Sequence, residues 1–74
     1  MKISIEYCGV WNYEPKAVGL AAKIKERFGL EAGLVRGSGG VFEVSIDAKL
    51  VYSKKQTGQF PEDRDIFEAI QKAK

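Results

Sequence analysis

A strand-like segment that leads through a short turn into a long helix-like segment is the feature that most limits how this chain can fold. Apolar and polar residues alternate over residues 2–7, which is the period of a strand with one buried face. Over residues 15–28 apolar residues recur at the spacing of an amphipathic helix, with Asn12 and Glu14 as candidate caps at its start and Gly29 at its end. A strand followed by a crossover helix predicts a second, parallel strand, reached by a right-handed connection.

Three further strands and a closing helix follow in the predicted order. The dipeptide Asp47-Ala48 is a candidate two-residue hairpin turn between the third and fourth strands. A polar loop is predicted over residues 54–59, after which three acidic residues suit the positively polarised start of a helix. The predicted bounds are residues 30–36, 41–46 and 49–53 for the strands and residues 62–74 for the helix.

These elements predict one α/β domain over residues 1–74, in the order βαβββα. Because most strands have one apolar face, we expect a two-layer sandwich in which both helices cover the same face of a four-stranded mixed sheet. The expected strand order is second–first–third–fourth, with the third strand antiparallel to the first. This arrangement is a thioredoxin-like core.

Composition argues against several classes of function. The net charge of +2 is too small to indicate nucleic-acid binding. The single cysteine excludes an internal disulfide, and the absence of histidine argues against a zinc site. No apolar run approaches the roughly 20 residues of a membrane span, and residues 1–3 begin a strand rather than a signal peptide. We therefore expect no bound cofactor, no membrane partner and a cytoplasmic location, where thiols stay reduced.

The turn Cys8-Gly9-Val10-Trp11 lies between the first strand and the first helix, where thiol redox proteins carry a Cys-x-x-Cys pair. Only the first cysteine is present, and the sole tryptophan of the chain takes the place of the second. The adjacent helix N-terminus favours thiolate over thiol, so Cys8 is predicted to be accessible and more acidic than a free thiol. The alternatives are that Cys8 is a small buried residue at a strand end and that Trp11 only covers the edge of the core.

The predicted topology brings several loops to the edge of the sheet that holds Cys8. The connection over residues 37–40 must cross the end of the first strand, where its small residues let a ligand approach the thiol. Arg36, Lys54 and Lys55 lie at the same edge, where their charge favours a thiolate and suits a carboxylate-rich ligand such as glutathione. Two glutamates near the turn oppose them. The alternative is that these segments are a flexible turn and a solvated loop.

Four motifs occur in a fixed order along residues 3–69. They are Tyr7-Cys8-Gly9-Val10-Trp11 continued by residues 12–17, then residues 39–44, 49–55 and 57–61. Together they resemble the selenoprotein W family, also called the Rdx or SelWTH family. The resemblance implies a thioredoxin-like fold and a redox role that involves glutathione, with Cys8 at the family's first redox cysteine and Trp11 at its selenocysteine or second cysteine. The candidate site residues are Cys8 and Trp11 at the redox positions and Gly9, Val10, Ser38, Gly39, Gly40, Lys54 and Lys55 at binding positions.

The tryptophan at position 11 leaves two explanations and three functional hypotheses open. The selenocysteine codon UGA differs by one base from the tryptophan codon UGG, so Trp11 stands either for a changed or misread selenocysteine or for a natural loss of the second redox group. The chain is then an oxidoreductase or its inactivated form, a binding module that uses Trp11, Cys8 and residues 37–40 without turnover, or a single-thiol sensor. We expect a monomer or weak homo-oligomer whose partner is glutathione or a thiol-containing protein.

Overall fold

Four strands and three helices make up the structure, a computed structural model that describes all 74 residues. In chain order they are β1 (Ile3–Cys8), α1 (Glu14–Phe28), β2 (Ala32–Gly37), β3 (Phe42–Ile46), β4 (Lys49–Ser53), α2 (Lys54–Thr57) and α3 (Asp63–Ala73). The bounds of the elements predicted from the sequence differ from these by no more than two residues. None of the helices combines the length and apolar character needed to cross a membrane.

The strands form one mixed sheet in the order β2-β1-β3-β4, which confirms the predicted topology. β2 is parallel to β1, whereas β3 is antiparallel both to β1 and to β4. The Asp47-Ala48 turn joins β3 to β4 with φ angles of 52° and 69°, so both residues are left-handed, as a primed hairpin turn requires. The central position of β1 is what places Cys8 among the loops at one end of the sheet.

A single hydrophobic core lies between the sheet and the helices, which confirms that α1 and α3 cover the same face. Alternate residues of β1 and β3 point into it, while α1 and α3 contribute residues spaced one helical turn apart. Burying each large aliphatic or aromatic side chain contributes about 1.5–3 kcal/mol to folding. The fully buried members include Ile3, Ile5, Ile24, Phe42, Val44, Ile66 and Ile70.

Two local predictions are wrong. The segment predicted as a polar loop begins with the one-turn helix α2, which ends where Gly58 adopts φ 79° and its N–H donates to the Lys54 carbonyl at 2.7 Å. The cap predicted for α1 is also different, because Tyr13 occupies the N-cap position and no side chain caps it. Asn12 instead takes a left-handed conformation, with φ 60°, in the turn that precedes the helix.

Candidate functional site

Cys8 is the last residue of β1, and backbone hydrogen bonds from both sides fix it there. Its N–H donates to the Val41 carbonyl at 2.8 Å, and the N–H of Gly9 donates to the Gly37 carbonyl at 3.2 Å. On the other side, the N–H of Tyr13 donates to the Cys8 carbonyl at 3.1 Å, which closes the turn before α1. The connection between β2 and β3 therefore crosses the end of β1 at Cys8, as the topology predicted.

The prediction that Cys8 is accessible is wrong for this structure, in which its side chain is 0% exposed. The crossing connection covers it, because Gly40 and Val41 are themselves buried against the end of β1. The neighbouring turn itself faces solvent, since Val10 is 79% and Trp11 is 59% exposed. A reactant can therefore reach the sulfur only when this turn or the crossing connection moves.

The pKa of the Cys8 thiol lies below its ordinary value. Burial raises the pKa, but backbone hydrogen bonds from Gly40, Trp11 and Val10 lower it, and the positive charge of Arg36 lowers it further, so that the net shift is downward. N–H groups that converge on one sulfur stabilise the thiolate more than the thiol. The sequence predicted a lowered pKa for Cys8 because a helix N-terminus lies beside it. In the structure, backbone N–H groups of the surrounding loops account for most of this lowering.

Arg36 is the one charged side chain of the predicted edge that acts on the sulfur. Its guanidinium lies directly against Gly9, where a Cβ atom would collide with it. Glycine at position 9 thus lets the cation approach the turn that holds Cys8. Arg36 was not among the site residues predicted from the sequence, although its charge was expected to favour a thiolate. Its position at the end of β2, beside the end of β1, was enough to identify it as a site residue.

The indole of Trp11 lies over the crossing connection. A Cβ atom at Gly40 would be 2.6 Å from Cζ3 of the indole, so the ring rests on the backbone of a glycine that has φ 76°. The ring also meets Tyr13 edge-on, with centroids 6.0 Å apart. Trp11 thus precedes α1 rather than beginning it. Its backbone N–H helps to lower the pKa of Cys8, and its ring lies on the loop that covers the sulfur.

The two lysines predicted to bind a ligand are not among the groups that lower the pKa of Cys8, whereas Arg36 is. The Nζ atom of Lys54 sits over the rings of Phe60 and Tyr13, at 5.3 Å and 5.7 Å from their centroids. The Nζ atom of Lys55 lies near Gly39, 3.6 Å from the position of a Cβ there. Ser38 and Gly39 are exposed. Of the predicted binding residues, Gly40 covers Cys8, whereas Ser38, Gly39, Lys54 and Lys55 lie around the turn and are called the rim below.

No preformed cavity opens onto Cys8. The two clefts of the molecule lie elsewhere, one of about 210 Å³ beside Phe42 and Phe60 and one of about 460 Å³ beside Ile46 and Val51. Small-molecule sites are usually concave and largely preformed. The Cys8 site is instead a buried sulfur at the end of β1, covered by the connection between β2 and β3.

Replacing Arg36 with glutamine should raise the pKa of Cys8, because it removes the one side-chain charge that stabilises the thiolate. The ultraviolet absorbance of the thiolate across a pH series measures this. Arg64→Gln is the matched control, since Arg64 pairs with Glu62 on the exposed start of α3. An Arg36→Gln midpoint equal to that of the parent chain would show that the backbone alone sets the acidity.

A cysteine at the end of the first strand, before a helix, on a thioredoxin-like sheet defines a thioredoxin-like class of redox-related proteins. The Rdx family profile matches residues 2–72. The chain therefore belongs to the Rdx, or selenoprotein W, family.

Curated relatives and a solved structure carry the same assignment. Migration and invasion enhancer 1 of Bos taurus is 38% identical over 74 residues, which cover 99% of this chain and 64% of that protein. Selenoprotein W of Gallus gallus is 37% identical over 67 residues, covering 81% of this chain and 75% of that protein. The crystal structure of a selenoprotein W-related protein from Vibrio cholerae matches with a TM-score of 0.91 at 25% identity, covering 97% of this chain and 94% of that one. The chain thus spans somewhat less than two thirds of the Bos taurus relative.

Proposed function

We propose that this chain is a single-thiol redox protein in which Cys8 exchanges with glutathione or with a thiol of a partner protein. The observation that carries the proposal is the position of Cys8 at the end of β1 in an Rdx fold, where nearby backbone N–H groups and the Arg36 charge lower the pKa of its thiol. Such surroundings stabilise a thiolate, which is the nucleophile in thiol–disulfide exchange. A cytoplasmic location, where free thiols are maintained, agrees with this chemistry.

The proposed reaction is a two-electron exchange. The Cys8 thiolate attacks one sulfur of oxidised glutathione, a bond forms between the two sulfurs, the glutathione disulfide bond breaks, and glutathione thiolate leaves. Attack by a second glutathione on the adduct reverses the step and restores Cys8. Because position 11 is tryptophan, this chain has no second cysteine to complete an internal disulfide with Cys8. We propose that Trp11 takes the place of a selenocysteine, so the chain stops at the mixed adduct.

Mass spectrometry of the intact chain tests the proposal. After treatment with oxidised glutathione, we expect one glutathione adduct on the parent chain, none on Cys8→Ser, and full reversal by reduced glutathione. Peroxide alone should give sulfenic acid, which reduced glutathione converts to the same adduct. A folded parent chain that stays unmodified under all these conditions would contradict the redox role.

A non-catalytic binding module is the second candidate, and the exposure of the turn favours it. Val10 and Trp11 are large apolar residues that face solvent beside Cys8. Exposed aromatic side chains are frequent anchors in protein interfaces. This function predicts that Trp11→Ala abolishes capture of a partner while Cys8→Ser leaves the capture intact, whereas the redox proposal predicts the reverse.

Charge reversal of the lysine rim, in the double variant Lys54→Glu and Lys55→Glu, should slow glutathionylation of Cys8. The two lysines lie beside the turn that holds Cys8, so reversing their charge replaces attraction of an anionic reactant by repulsion. We expect the rate of glutathionylation to fall about two- to tenfold at low salt. The effect should shrink as ionic strength rises. Lys72→Glu with Lys74→Glu makes the same change in net charge at the distant end of α3 and is the control. Equal rates for both double variants would leave the rim without a role.

A further inference from the structure

The two edges of the sheet differ in how well they resist pairing with another strand. β4 begins with Lys49 and its pairing with β3 is interrupted by a register shift at Val44/Ser45. Charged side chains and bulges are devices that keep edge strands from associating. β2 has neither lysine nor proline nor a bulge, and its pairing with β1 is regular over all six residues. The backbone of β2 is therefore open to a further strand.

Apolar side chains flank this open edge on both faces of the sheet. Leu34 pairs with Ile5 on the helix-covered face and is 40% exposed, whereas Val35 pairs with Glu6 on the open face and is 50% exposed. The one charged residue of β2, Arg36, has its guanidinium against Gly9, which follows β1. The charge is thereby turned away from the free edge.

Helix α1 adds a third apolar residue on the same side. Val18 is exposed and lies seven residues before Lys25, which is two helical turns, so both project from one side of α1. The Nζ atom of Lys25 lies 3.0 Å from Oε1 of Glu31, immediately before β2. Val18 therefore lies on the β2 side of the helix, above the edge that carries Leu34.

We propose that β2 pairs antiparallel with β2 of a second copy of this chain and forms a weak dimer. The two copies would be related by a two-fold axis perpendicular to the joined sheet, so residues opposite one another must lie on the same face and differ by an even number. Centred on Leu34, this pairing sets Leu34 against Leu34, Gly33 against Val35 and Ala32 against Arg36. The two Leu34 side chains then meet on the two-fold axis, while Val35 meets Gly33 and Arg36 meets Ala32, each a small residue. The two neighbouring registers are less favourable because each sets a charged side chain against a large apolar one. A pairing centred on Val35 would place Arg36 against Leu34, and one centred on Gly33 would place Glu31 against Val35.

The size and charge of the surface fit a second copy at modest affinity. One strand edge with three apolar side chains makes a small contact, and interfaces below roughly 1,200 Å² are weak or transient. The net charge of +2 per chain gives little repulsion between copies. Dimer formation should therefore depend on concentration between the micromolar and millimolar ranges.

Sedimentation velocity of the full chain tests the proposal, with Cys8→Ser and reductant present to exclude disulfide-linked pairs. We expect a reversible dimer at millimolar concentration. Val35→Lys should raise its dissociation constant about tenfold or more, because it buries a charge in the paired edge. Leu50→Lys is the matched control, since Leu50 is 44% exposed on the opposite edge strand, and it should leave the dimer unchanged.

Amide hydrogen exchange of the unmodified chain gives a second test that needs no variant. Protection of β2 amides should increase with protein concentration, while protection in β4 should not. A chain that stays monomeric at millimolar concentration, a dimer weakened equally by Leu50→Lys, or concentration-dependent protection confined to β4 would each overturn the proposal.

Discussion

Replacing Trp11 with cysteine should yield a chain that forms a reversible internal bond with Cys8. The two residues belong to one closed turn, in which the N–H of Asn12 donates to the Gly9 carbonyl at 3.1 Å and the backbone N–H of Trp11 helps to lower the pKa of Cys8. The indole is largely exposed and packs on Gly40 rather than in the core, so its removal should leave the fold intact. Equilibration in a glutathione redox buffer, followed by mass spectrometry and thiol titration, measures the bond.

Trp11→Ser is the matched control for this variant, because it removes the indole without adding a sulfur. It should accept glutathione on Cys8 but form no internal bond. If Trp11→Cys is folded yet never forms the internal bond over the full range of the buffer, the two positions do not face each other. The binding-module function would then be the better account of the turn.

Truncating Phe42 to alanine should destabilise the domain more than any change at the surface. Phe42 is fully buried at the start of β3 and meets Phe60 edge-on with ring centroids 5.2 Å apart. Large-to-small changes of this kind cost about 3–5 kcal/mol, which is a large part of the roughly 5–15 kcal/mol that stabilises a typical domain. Urea unfolding followed by circular dichroism measures the loss.

The same change should also expose the thiol, because Phe42 directly follows the Gly40–Val41 segment that covers Cys8. We therefore expect faster alkylation of Cys8 in Phe42→Ala under native conditions. Leu50→Ala, at an exposed position of β4, should cost less than about 1 kcal/mol and leave alkylation unchanged. A loss below about 1 kcal/mol for Phe42→Ala would contradict the packing described for the core.

Hydrophobic periodicity was sufficient to predict the fold. The alternation in β1 and β3 and the stripe of α1 reflect a core on one face of the sheet, and the crossover rule then ordered the strands. Periodicity did not predict the single turn of α2, because four residues that bury nothing carry no periodic signal. It also did not show that Leu34, placed on an inward face, would be 40% exposed, since that depends on β2 being an edge strand.

The site was predicted in its position but not in its geometry. The strand–turn–helix pattern placed Cys8 correctly at the end of β1 and the small residues of the crossing connection beside it. Its burial and the dominance of backbone N–H groups over lysine charge depend on how two loops pack together. The sequence identifies the two loops, but the distance between them depends on the three-dimensional packing of the whole chain.

The acidity of Cys8 also links to stability. Because its pKa is lower in the folded chain than in the unfolded one, the thiolate's contribution to stability is complete above the unfolded thiol value and is lost as the pH falls through the folded pKa. Cys8→Ser should remove this part of the pH dependence.

The pH dependence of Cys8 alkylation by iodoacetamide tests the account most directly. Rates would be measured on the folded chain and on the same chain unfolded in urea, where a free thiol titrates at about 8.5. Burial slows alkylation of Cys8 in the folded chain at every pH, but the midpoint of the rate–pH curve depends only on the pKa of the thiol. The account predicts a folded midpoint below the unfolded one. A folded midpoint at or above the unfolded value would make Cys8 a packing residue and contradict the redox role.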